Sequence, residues 1–345
     1  MTFTARCFLY STCIFLALAL PTQAATVNAT WNTATDVPVS ASSYTATGNT
    51  VNFTLNFAPT TGTNLKVVNN TGLPFISGTF SNLTQGQAVN LSYNGLSYSF
   101  VANYYSGTGN DLVLVWASNR PLAWGADAYG QLGNSVTTTS PSPVAVNTAG
   151  VLAGKTVTAV ANGPNLTLAL CSDGTLAAWG NNVYGQLGNG TFATSNLPVA
   201  VTTSGTPLAG KTVTAVSVGG THCLAVCSDG TVAAWGYNNY GQLGNNSTTQ
   251  STVPTAVVTA GTPLAGKTVI AVSAGDSHSL ALCSDGTMAV WGQNLFGQLG
   301  NNSTTTSTVP TAVTTSGVLS GKTVISVSAG NTYSLALCSD GKVVA

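Results

Sequence analysis

The strongest constraint on the fold is a phrase, Trp-Gly-x-Asn-x-Tyr-Gly-Gln-Leu-Gly-Asn, that recurs with a period of 55 to 56 residues. Its four copies are Trp124–Asn134, Trp179–Asn189, Trp235–Asn245 and Trp291–Asn301. A fixed period of this length indicates that each unit is one supersecondary module, which cannot bury its apolar faces without a neighbour. We therefore expect a repeat array, in which a residue present once per unit serves the scaffold more often than a site.

Charged residues make up only 5% of the 345 residues, there is no glutamate, and the net charge is zero. Such a chain would attract neither nucleic acid nor an anionic membrane surface electrostatically, so we expect no nucleic-acid partner. Its solubility must rest on Ser, Thr, Asn and Gly, which are typical of extracellular β proteins.

Residues 1–24 resemble a secretory signal. Arg6 precedes a largely apolar run, Cys7–Leu20, and Pro21–Ala24 ends in a small residue suited to cleavage. The 14 residues of this run are fewer than the ~20 that span a bilayer. We therefore predict a secreted or cell-surface protein with no membrane span after the signal is removed.

Five cysteines remain after the signal. Four occupy one position each in the phrase Cys-Ser-Asp-Gly, and Cys223 precedes one of these by four residues. Equivalent positions in stacked sheets lie about 10 Å apart, and Cys223 and Cys227 would lie about 13 Å apart along a strand. A disulfide requires Cα atoms within about 7 Å. We therefore predict small buried side chains, without disulfides and without a metal site.

Residues 26–117 predict a small all-β module, because short alternating runs such as Val51–Phe57 and Tyr98–Ala102 are separated by Gly and Asn turns. Its last part, Tyr104–Leu114, resembles the closing strand of β modules in bacterial surface and autotransporter-like proteins. The same segment also resembles one turn of a calcium-binding nonapeptide repeat, but a single copy lacks the stacked neighbour that completes such a site.

Residues 119–345 contain four predicted strands per unit, illustrated by Pro198–Val201, Lys211–Val216, Ser279–Cys283 and Thr231–Trp235. The proline predicts the start of an edge strand. Asp-Gly between the third and fourth strands predicts a hairpin, with the aspartate shaping the turn. The repeat lysines are expected to solvate loops.

Both faces of the third and fourth strands are apolar. Leu280 and Leu282 point to one side of the predicted strand, and Ala281 and Cys283 point to the other. A sheet that is apolar on both sides must be covered on both sides. Radially stacked four-stranded sheets, as in a β-propeller, provide this cover. An extended β-solenoid is the alternative, although its turns are usually shorter.

The order of these phrases is similar to that of the regulator of chromosome condensation repeat family. The resemblance covers residues 119–345 and runs through Trp-Gly-x-Asn-x-Tyr-Gly-Gln-Leu-Gly-Asn, Pro-x-x-Val, Gly-Lys-x-Val, His-Ser-Leu-Ala-Leu and Ser-Asp-Gly. It implies an all-β propeller, for which seven blades are typical of the family. About four periods are present, and Ala345 aligns with the residue before Trp291, so we expect a partial, about four-blade propeller truncated from a longer one.

Three patterns suggest catalysis and are set aside. Gly205–Thr212 and Gly261–Thr268 match a phosphate loop, but a β-branched strand follows each where the mechanism needs a helix. In Asp276-Ser277-His278, adjacent strand residues would face opposite sides, so the three cannot form a triad. Apart from the aspartates that recur once per unit in Asp-Gly, the only carboxylates in residues 119–345 are Asp127 and Asp276. A glycosidase needs a closely spaced pair of carboxylates, so the array is a poor candidate for this chemistry. We predict no catalytic residues, no metal and no cofactor.

The loops that differ between near-identical units are the candidate binding residues, because a rigid frame with varied loops suits recognition. They lie in the turn before the third strand, and the residues chosen are Asn165, Thr221, His222, Asp276, His278, Asn331 and Tyr333. The position of the two histidines also carries Leu166, which is typical of packing. The repeat tryptophans are interpreted as blade packing in preference to a carbohydrate platform.

These observations predict an exported, non-enzymatic repeat protein that binds another protein or a surface glycan. A polysaccharide-active enzyme acting through Asp127, Asp276 and the histidines is the first alternative. Nucleotide exchange on a small GTPase is implied by the family resemblance alone, since no residue here matches a functional motif of the family. A structural role in a surface layer is a further alternative.

Overall fold

The computed structural model describes residues 24–60, 62–106, 110–117 and 121–345. It is an all-β structure, as predicted, and its only described helices are two short 3-10 turns, Gly150–Leu152 and Gly317–Leu319. Neither turn has the length or the apolar character to cross a membrane. The predicted signal, apart from Ala24, lies outside the described residues.

An N-terminal module contains seven strands: β1 (Thr26–Trp31), β2 (Val39–Ala41), β3 (Thr50–Leu55), β4 (Leu65–Asn70), β5 (Ala88–Tyr93), β6 (Leu96–Ser106) and β7 (Asp111–Trp116). Strands β1 and β3 pair in parallel, and the others form one sheet in the order β2-β4-β7-β6-β5. The apolar faces of both sheets share one core, which includes the fully buried rings of Trp31, Phe80 and Phe100.

Asp111 of this module pairs with a lysine. Its Oδ2 lies 2.7 Å from Nζ of Lys66, and its Oδ1 accepts a hydrogen bond from the backbone N–H of Asn70 at 2.8 Å. Both carboxylate oxygens are therefore engaged within the module, so this aspartate stabilises the contact between β4 and β7 and is not presented to a calcium ion.

The repeat region begins with β8. Its strands are β8 (Leu122–Gly125), β9 (Ser140–Ala145), β10 (Val157–Asn162), β11 (Leu166–Cys171), β12 (Leu176–Gly180), β13 (Ser195–Ala200), β14 (Val213–Val218), β15 (His222–Cys227), β16 (Val232–Gly236), β17 (Ser251–Ala256), β18 (Val269–Ala274), β19 (His278–Cys283), β20 (Met288–Gly292), β21 (Ser307–Ala312), β22 (Val324–Ala329), β23 (Ser334–Cys338) and β24 (Val343–Val344). They follow one another along the chain as predicted, but the predicted division into units is wrong: each blade begins with the Thr-Val strand, predicted as second, and ends with the proline strand that was predicted to open the next unit. The strand predicted as third is therefore the second strand of its blade.

These strands form antiparallel blades. Three blades have four strands each, β10–β13, β14–β17 and β18–β21, and they are flanked by the two-stranded sheet β8–β9 and the three-stranded sheet β22–β24. The first strands β10, β14, β18 and β22 lie beside one another, and the sheets radiate from them. The array is a partial β-propeller, as the repeat pattern predicts.

The proline strands are edge strands, but the prediction that proline begins them is wrong. Pro198 is the fourth residue of β13, and β13 is the outermost strand of its blade. The pairing of β12 with β13 is interrupted between Ala178 and Gly180, opposite this proline. An interrupted ladder at an outer edge tolerates a residue that has no N–H to donate.

Neighbouring blades pack with a leucine face against a small-residue face. Leu224 and Val226 of β15 are buried in one cluster with Ala281, Cys283 and Trp291 of the next blade. This is the alternation that the two apolar sides of each strand predict. The five cysteines of the propeller, Cys171, Cys223, Cys227, Cys283 and Cys338, are buried and free, as predicted.

Three tryptophans, one in each four-stranded blade, form a hydrogen bond to the sheet before their own. The indole Nε1 atoms of Trp179, Trp235 and Trp291 donate hydrogen bonds of 2.9, 2.8 and 2.8 Å to backbone oxygens of the preceding Gly-Gln-Leu-Gly loop. All three rings are buried, whereas Trp124 is 63% exposed, since no blade among the described residues precedes its strand. The tryptophans therefore serve packing, as interpreted from the sequence.

The N-terminal module contacts the propeller at one end of the blades. Nε2 of Gln85 donates to the backbone oxygen of Ser172 at 3.3 Å, and Leu73 and Phe75 pack on the cluster that contains Ile270 and Leu282. Ser172 belongs to an Asp-Gly hairpin, so we call this end of the blades the hairpin face. The opposite end, with the turns 163–165, 219–221, 275–277 and 330–332, is the loop face.

A candidate binding face

The loop face is formed by two connections of each blade. Because the strands alternate in direction, the turn between the first and second strands and the Gly-Gln-Leu-Gly loop after the third strand emerge at the same end. Backbone hydrogen bonds join them: Asn181 N–H donates to Asn165 at 2.8 Å, and Tyr237 N–H donates to Thr221 at 3.0 Å. The variable turns are thereby held in fixed positions.

A buried asparagine organises each long loop. Nδ2 of Asn238 donates to the backbone oxygens of Ser247 and Thr249 at 2.9 and 3.0 Å, and its Oδ1 accepts from Leu243 N–H at 2.9 Å. Asn182 and Asn294 make the same three contacts in their blades. The asparagine of the repeat phrase is therefore part of the scaffold.

A shallow depression of about 310 Å³ lies where the four variable turns meet on the loop face. Two of the residues chosen from sequence, Asp276 and Asn331, line it and are exposed. The Asp276 carboxylate lies directly over Gly220, where a side chain would collide with it. Gly220 N–H also donates to the backbone oxygen of Gly275 at 3.1 Å, which links the turns of consecutive blades.

Asn165, Thr221 and Tyr333 do not line this depression. Asn165 and Thr221 are half-buried, and each uses its backbone oxygen to hold its own blade, as described above. Tyr333 is 56% exposed. Tyr333 occupies the position equivalent to that of the two histidines, in the last described sheet. The loop face thus holds four of the seven candidates, Asn165, Thr221, Asp276 and Asn331, with Asp276 as their one carboxylate.

His222 and His278 lie inside the sheet stack and are fully buried. Nε2 of His222 is 2.8 Å from Oγ of Ser279 in the next blade, and that hydroxyl donates to the backbone oxygen of Gln242 at 2.8 Å. Since the hydroxyl proton is committed to Gln242, the histidine donates from Nε2. These histidines fasten blades together and do not reach the loop face.

Burial controls the charge of both histidines. Desolvation, followed by the nearby His278, lowers the pKa of His222 to about 3. Desolvation also lowers the pKa of His278 to about 4, opposed by a hydrogen bond to the backbone of Tyr333 and by Asp276. Both rings are therefore uncharged at neutral pH.

Aromatic side chains on the loop face were missed in the sequence. Tyr184 and Tyr240 precede Gly-Gln-Leu-Gly in their repeats, and Tyr237 lies between them, with ring centroids 4.7 and 6.4 Å away. Phe296, at the equivalent position one blade further on, is 72% exposed. Their position in the sequence could have identified them. An aromatic residue in a loop, beyond the last residue of the strand, cannot pack in the core between the sheets.

The charged residues of the hairpin face pair with one another. Lys155, Lys211, Lys267 and Lys322 form ion pairs of 2.5 to 2.9 Å with the aspartate of the hairpin in the same blade. These lysines were expected to solvate loops. They remain partly exposed and also pair with the hairpin, because the antiparallel pairing of the first two strands of each blade brings each lysine beside it. Burial raises the pKa of the Asp229 carboxyl, but hydrogen bonds from Lys211 and Thr231 outweigh burial and leave its pKa below the usual value.

The arrangement offers little for catalysis. The loop 205–212 leads directly into strand β14, and its Lys211 is paired with Asp229, so the phosphate-loop geometry is not formed. Ser277 Oγ donates to Asp276 at 3.3 Å, whereas Nε2 of His278 bonds to Ser334, so Asp276, Ser277 and His278 do not form a triad. Within the described ranges, His, Cys and Asp side chains do not gather in threes around a common point.

Radially stacked antiparallel sheets, fastened to one another by tryptophan and histidine side chains, define a partial β-propeller whose loops carry the sequence variation. The chain belongs to the RCC1-like domain family, whose sequence profile matches residues 89–345. The match extends beyond the four repeats into β5, β6 and β7, which are strands of the N-terminal sheet.

Three relatives show the extent of the similarity. Human E3 ubiquitin-protein ligase HERC2 is 33% identical over 222 residues, which are 64% of this chain and 4% of HERC2. The crystal structure of human WBSCR16 aligns with a TM-score of 0.56 at 27% identity, covering 74% of this chain and 58% of that one. Prp20p from Saccharomyces cerevisiae aligns with a TM-score of 0.52 at 21% identity, covering 75% of this chain and 56% of that one. This chain thus spans less than two thirds of each relative.

Proposed function

We propose that this chain is an exported, non-enzymatic binding protein that recognises another protein through the loop face of its partial propeller. The proposal rests on one observation, which is that the two ends of the blades differ in what they carry. The hairpin face is occupied by ion pairs and by the N-terminal module. The loop face holds the residues that differ between repeats, on a frame fixed by backbone hydrogen bonds.

The chemistry of the loop face suits a protein partner. Tyr184, Tyr237 and Tyr240 form an aromatic cluster on the loop face, which also carries a depression lined by Asp276 and Asn331. Tyrosine is enriched at protein interfaces and at their energetic centres, where a rigid ring provides contact area at low entropic cost. The rings of Tyr184 and Tyr237 are inclined by 56°, so they do not form the flat platform on which a sugar ring stacks.

The family supports a binding role in general terms. The structural study of Prp20p describes its binding to Gsp1p and histones, and a second yeast structure shows Prp20 bound to Kap60. We take from these relatives only that the fold presents surfaces to proteins. Export is proposed from the sequence alone, on the basis of the signal pattern in residues 1–24.

Affinity capture with matched variants tests the binding role. Tyr237→Gln places on the loop face the residue found at the equivalent position 293, and Asp276→Ala removes the carboxylate of the depression. The control Asp285→Asn changes a charge on the hairpin face. We expect an extracellular protein that is retained by the wild type and by Asp285→Asn and is lost with both loop-face variants.

Other outcomes of the same experiment overturn the proposal. Equal retention by all four proteins would place the contact elsewhere, and retention of a glycan from an array with the same variant pattern would replace the protein partner with a carbohydrate. Turnover of a polysaccharide that is lost with Asp276→Ala would show an enzyme. Export is tested separately by mass spectrometry of the secreted chain, whose first residue we expect near Ala25.

A further inference from the structure

Asp127 occupies the position at which the other three repeats carry a buried asparagine. In those repeats the side-chain Nδ2 donates to two backbone oxygens, nine and eleven residues further along the chain; for Asn182 these belong to Thr191 and Ala193, each at 3.0 Å. The side chain of Asp127 has no N–H group, so it cannot make either contact.

The backbone around Asp127 keeps the geometry of the other repeats. Leu132 N–H donates to its Oδ1 at 2.8 Å, as Leu187 N–H donates to Oδ1 of Asn182 at 2.8 Å. Ser135 has a φ of 75°, close to the 81° of Gly190 at the equivalent place in the next loop. Equal loop length and equal anchoring place Oδ2 of Asp127 where Nδ2 of the asparagine stands, and the equivalent backbone oxygens are those of Val136 and Thr138.

The carboxylate oxygen Oδ2 of Asp127 can only accept hydrogen bonds, and the backbone oxygens that it faces can only accept them too. The residue is fully buried, and this oxygen has no hydrogen-bond partner among the described residues. An unpaired buried carboxylate oxygen is costly. A single proton on Oδ2 would satisfy one backbone oxygen, whereas the asparagine supplies two N–H donors to two backbone oxygens. A cation interacts favourably with all of these oxygens together.

We propose that Asp127 binds a hard cation, with Ca²⁺ as the best match, together with the backbone oxygens of Val136 and Thr138 and the side-chain oxygen of Asn134. The asparagines equivalent to Asn134 direct that oxygen at the same point, 3.2 to 3.4 Å from Nδ2. Oxygen ligands of Ca²⁺ at 2.3–2.6 Å lie about 3 Å from one another, which is close to the spacing between Nδ2 and the backbone oxygens in the equivalent asparagine loops. Residues 135–139 are exposed, so water completes the coordination.

The site has one carboxylate, which implies weak binding. Calcium sites of extracellular modules bind at about 10⁻⁴–10⁻³ M, and affinity rises with the number of charged ligands. The cation would join the loop after β8 to its own strand, at the first sheet of the array, in place of the asparagine contacts that fix the later loops. Its role is therefore to stabilise the end of the propeller.

The test compares thermal unfolding of three proteins in a chelator and in 10 mM CaCl₂. Asp127→Asn restores the residue of the other repeats, and Asn182→Asp transfers the aspartate to the next loop. We expect the melting temperature of the wild type to rise by about 3–10 °C with CaCl₂. Asp127→Asn should lose this response and melt above the wild type in chelator, and Asn182→Asp should show a larger response than the wild type.

Titration calorimetry with CaCl₂ on the wild type and Asp127→Asn gives an independent readout, in which only the wild type should release or absorb heat at this site. An equal calcium response in the wild type and in Asp127→Asn would overturn the proposal, because the ion would then bind elsewhere. No response of the wild type to CaCl₂, MgCl₂ or NaCl would also overturn it and assign a proton to Oδ2. A response to MgCl₂ or NaCl that Asp127→Asn abolishes would support the site and change the ion.

Discussion

A Cβ atom on Gly188 would lie 2.7 Å from Nε1 of Trp235, so the glycine backbone and the indole ring of the next blade are in direct contact. Gly188, the last residue of Gly-Gln-Leu-Gly, has a φ of +64°, a backbone conformation that residues with a side chain disfavour. Gly133 and Gly244 contact Trp179 and Trp291 in the same way. The second glycine of Gly-Gln-Leu-Gly is thus required by the tryptophan that follows 46 or 47 residues later in the chain.

Gly188→Ala should destabilise the protein strongly. The left-handed backbone costs about 1–2 kcal/mol for a side chain, and overpacking against the indole adds about 1–3 kcal/mol. Gly190→Ala is the matched control, because Gly190 has a φ of +81° but no atom within 4 Å of its Cβ position. Urea unfolding should give a loss of about 1–2 kcal/mol for the control and clearly more for Gly188→Ala. Equal losses would mean that the loop moves away from the indole at no cost.

Trp235→Ala should cost about 3–5 kcal/mol, because it removes a fully buried ring and the hydrogen bond to Gln186. Trp124→Ala provides the control, since the same repeat residue is 63% exposed there and should change the free energy of unfolding by less than about 0.5 kcal/mol. Guanidinium unfolding measures both. Equal effects of the two substitutions would contradict blade-to-blade packing as the role of the tryptophan.

The five propeller thiols should be inert in the folded protein. Burial, followed by the neighbouring hairpin aspartate, raises the pKa of Cys171 to about 12 and those of Cys227 and Cys283 to about 11. Since the thiolate is the reactive form, alkylation at pH 8 should reach these residues only after unfolding. Peptide mapping by mass spectrometry shows which of the five thiols is labelled. Rapid labelling of Cys227 or Cys283 without denaturant would show that the blades open.

Periodicity in the sequence predicted the blades because it reports local chemistry. The alternation of leucine with alanine and cysteine, as at Leu280 and Ala281, gives the two apolar faces, and Asp-Gly gives the hairpins. Contacts between repeats were not predictable in this way. His222 reaches Ser279 across 57 residues, and only the stacking of two blades makes them neighbours. The histidines were therefore chosen for a binding face from which they are absent.

The position of the N-terminal module could not be predicted from the sequence either, because the contact of Leu73 and Phe75 with Ile270 and Leu282 follows no repeated pattern.

Asp127, in contrast, could be recognised from the sequence. Its departure from the asparagine of the repeat phrase is visible in the sequence, but its meaning depends on the backbone oxygens that the asparagines of the other loops contact. On the loop face, Asp276 and Asn331 were found because they vary between repeats. Tyr184 and Tyr240 were missed because they recur, and Tyr237 was missed because it lies outside the turn in which variation was compared.

The two buried histidines should make the protein sensitive to mild acid. Their pKa values fall from 6.5 to about 3 and about 4 on folding, so between pH 6.5 and pH 4 the unfolded chain binds protons that the folded chain does not. The free energy of unfolding is therefore fully retained above pH 6.5 and decreases as the pH falls, with a slope of up to about 1.4 kcal/mol per pH unit for each histidine. His222→Leu introduces the residue found at the equivalent position 166. Urea unfolding at pH 7.5, 6.5, 5.5 and 4.5 should show about half of the wild-type slope for this variant, and almost none in this window when His278→Tyr is added. An unchanged slope in the double variant would mean that the acid sensitivity arises from other groups, and that the histidines are not held neutral between the blades.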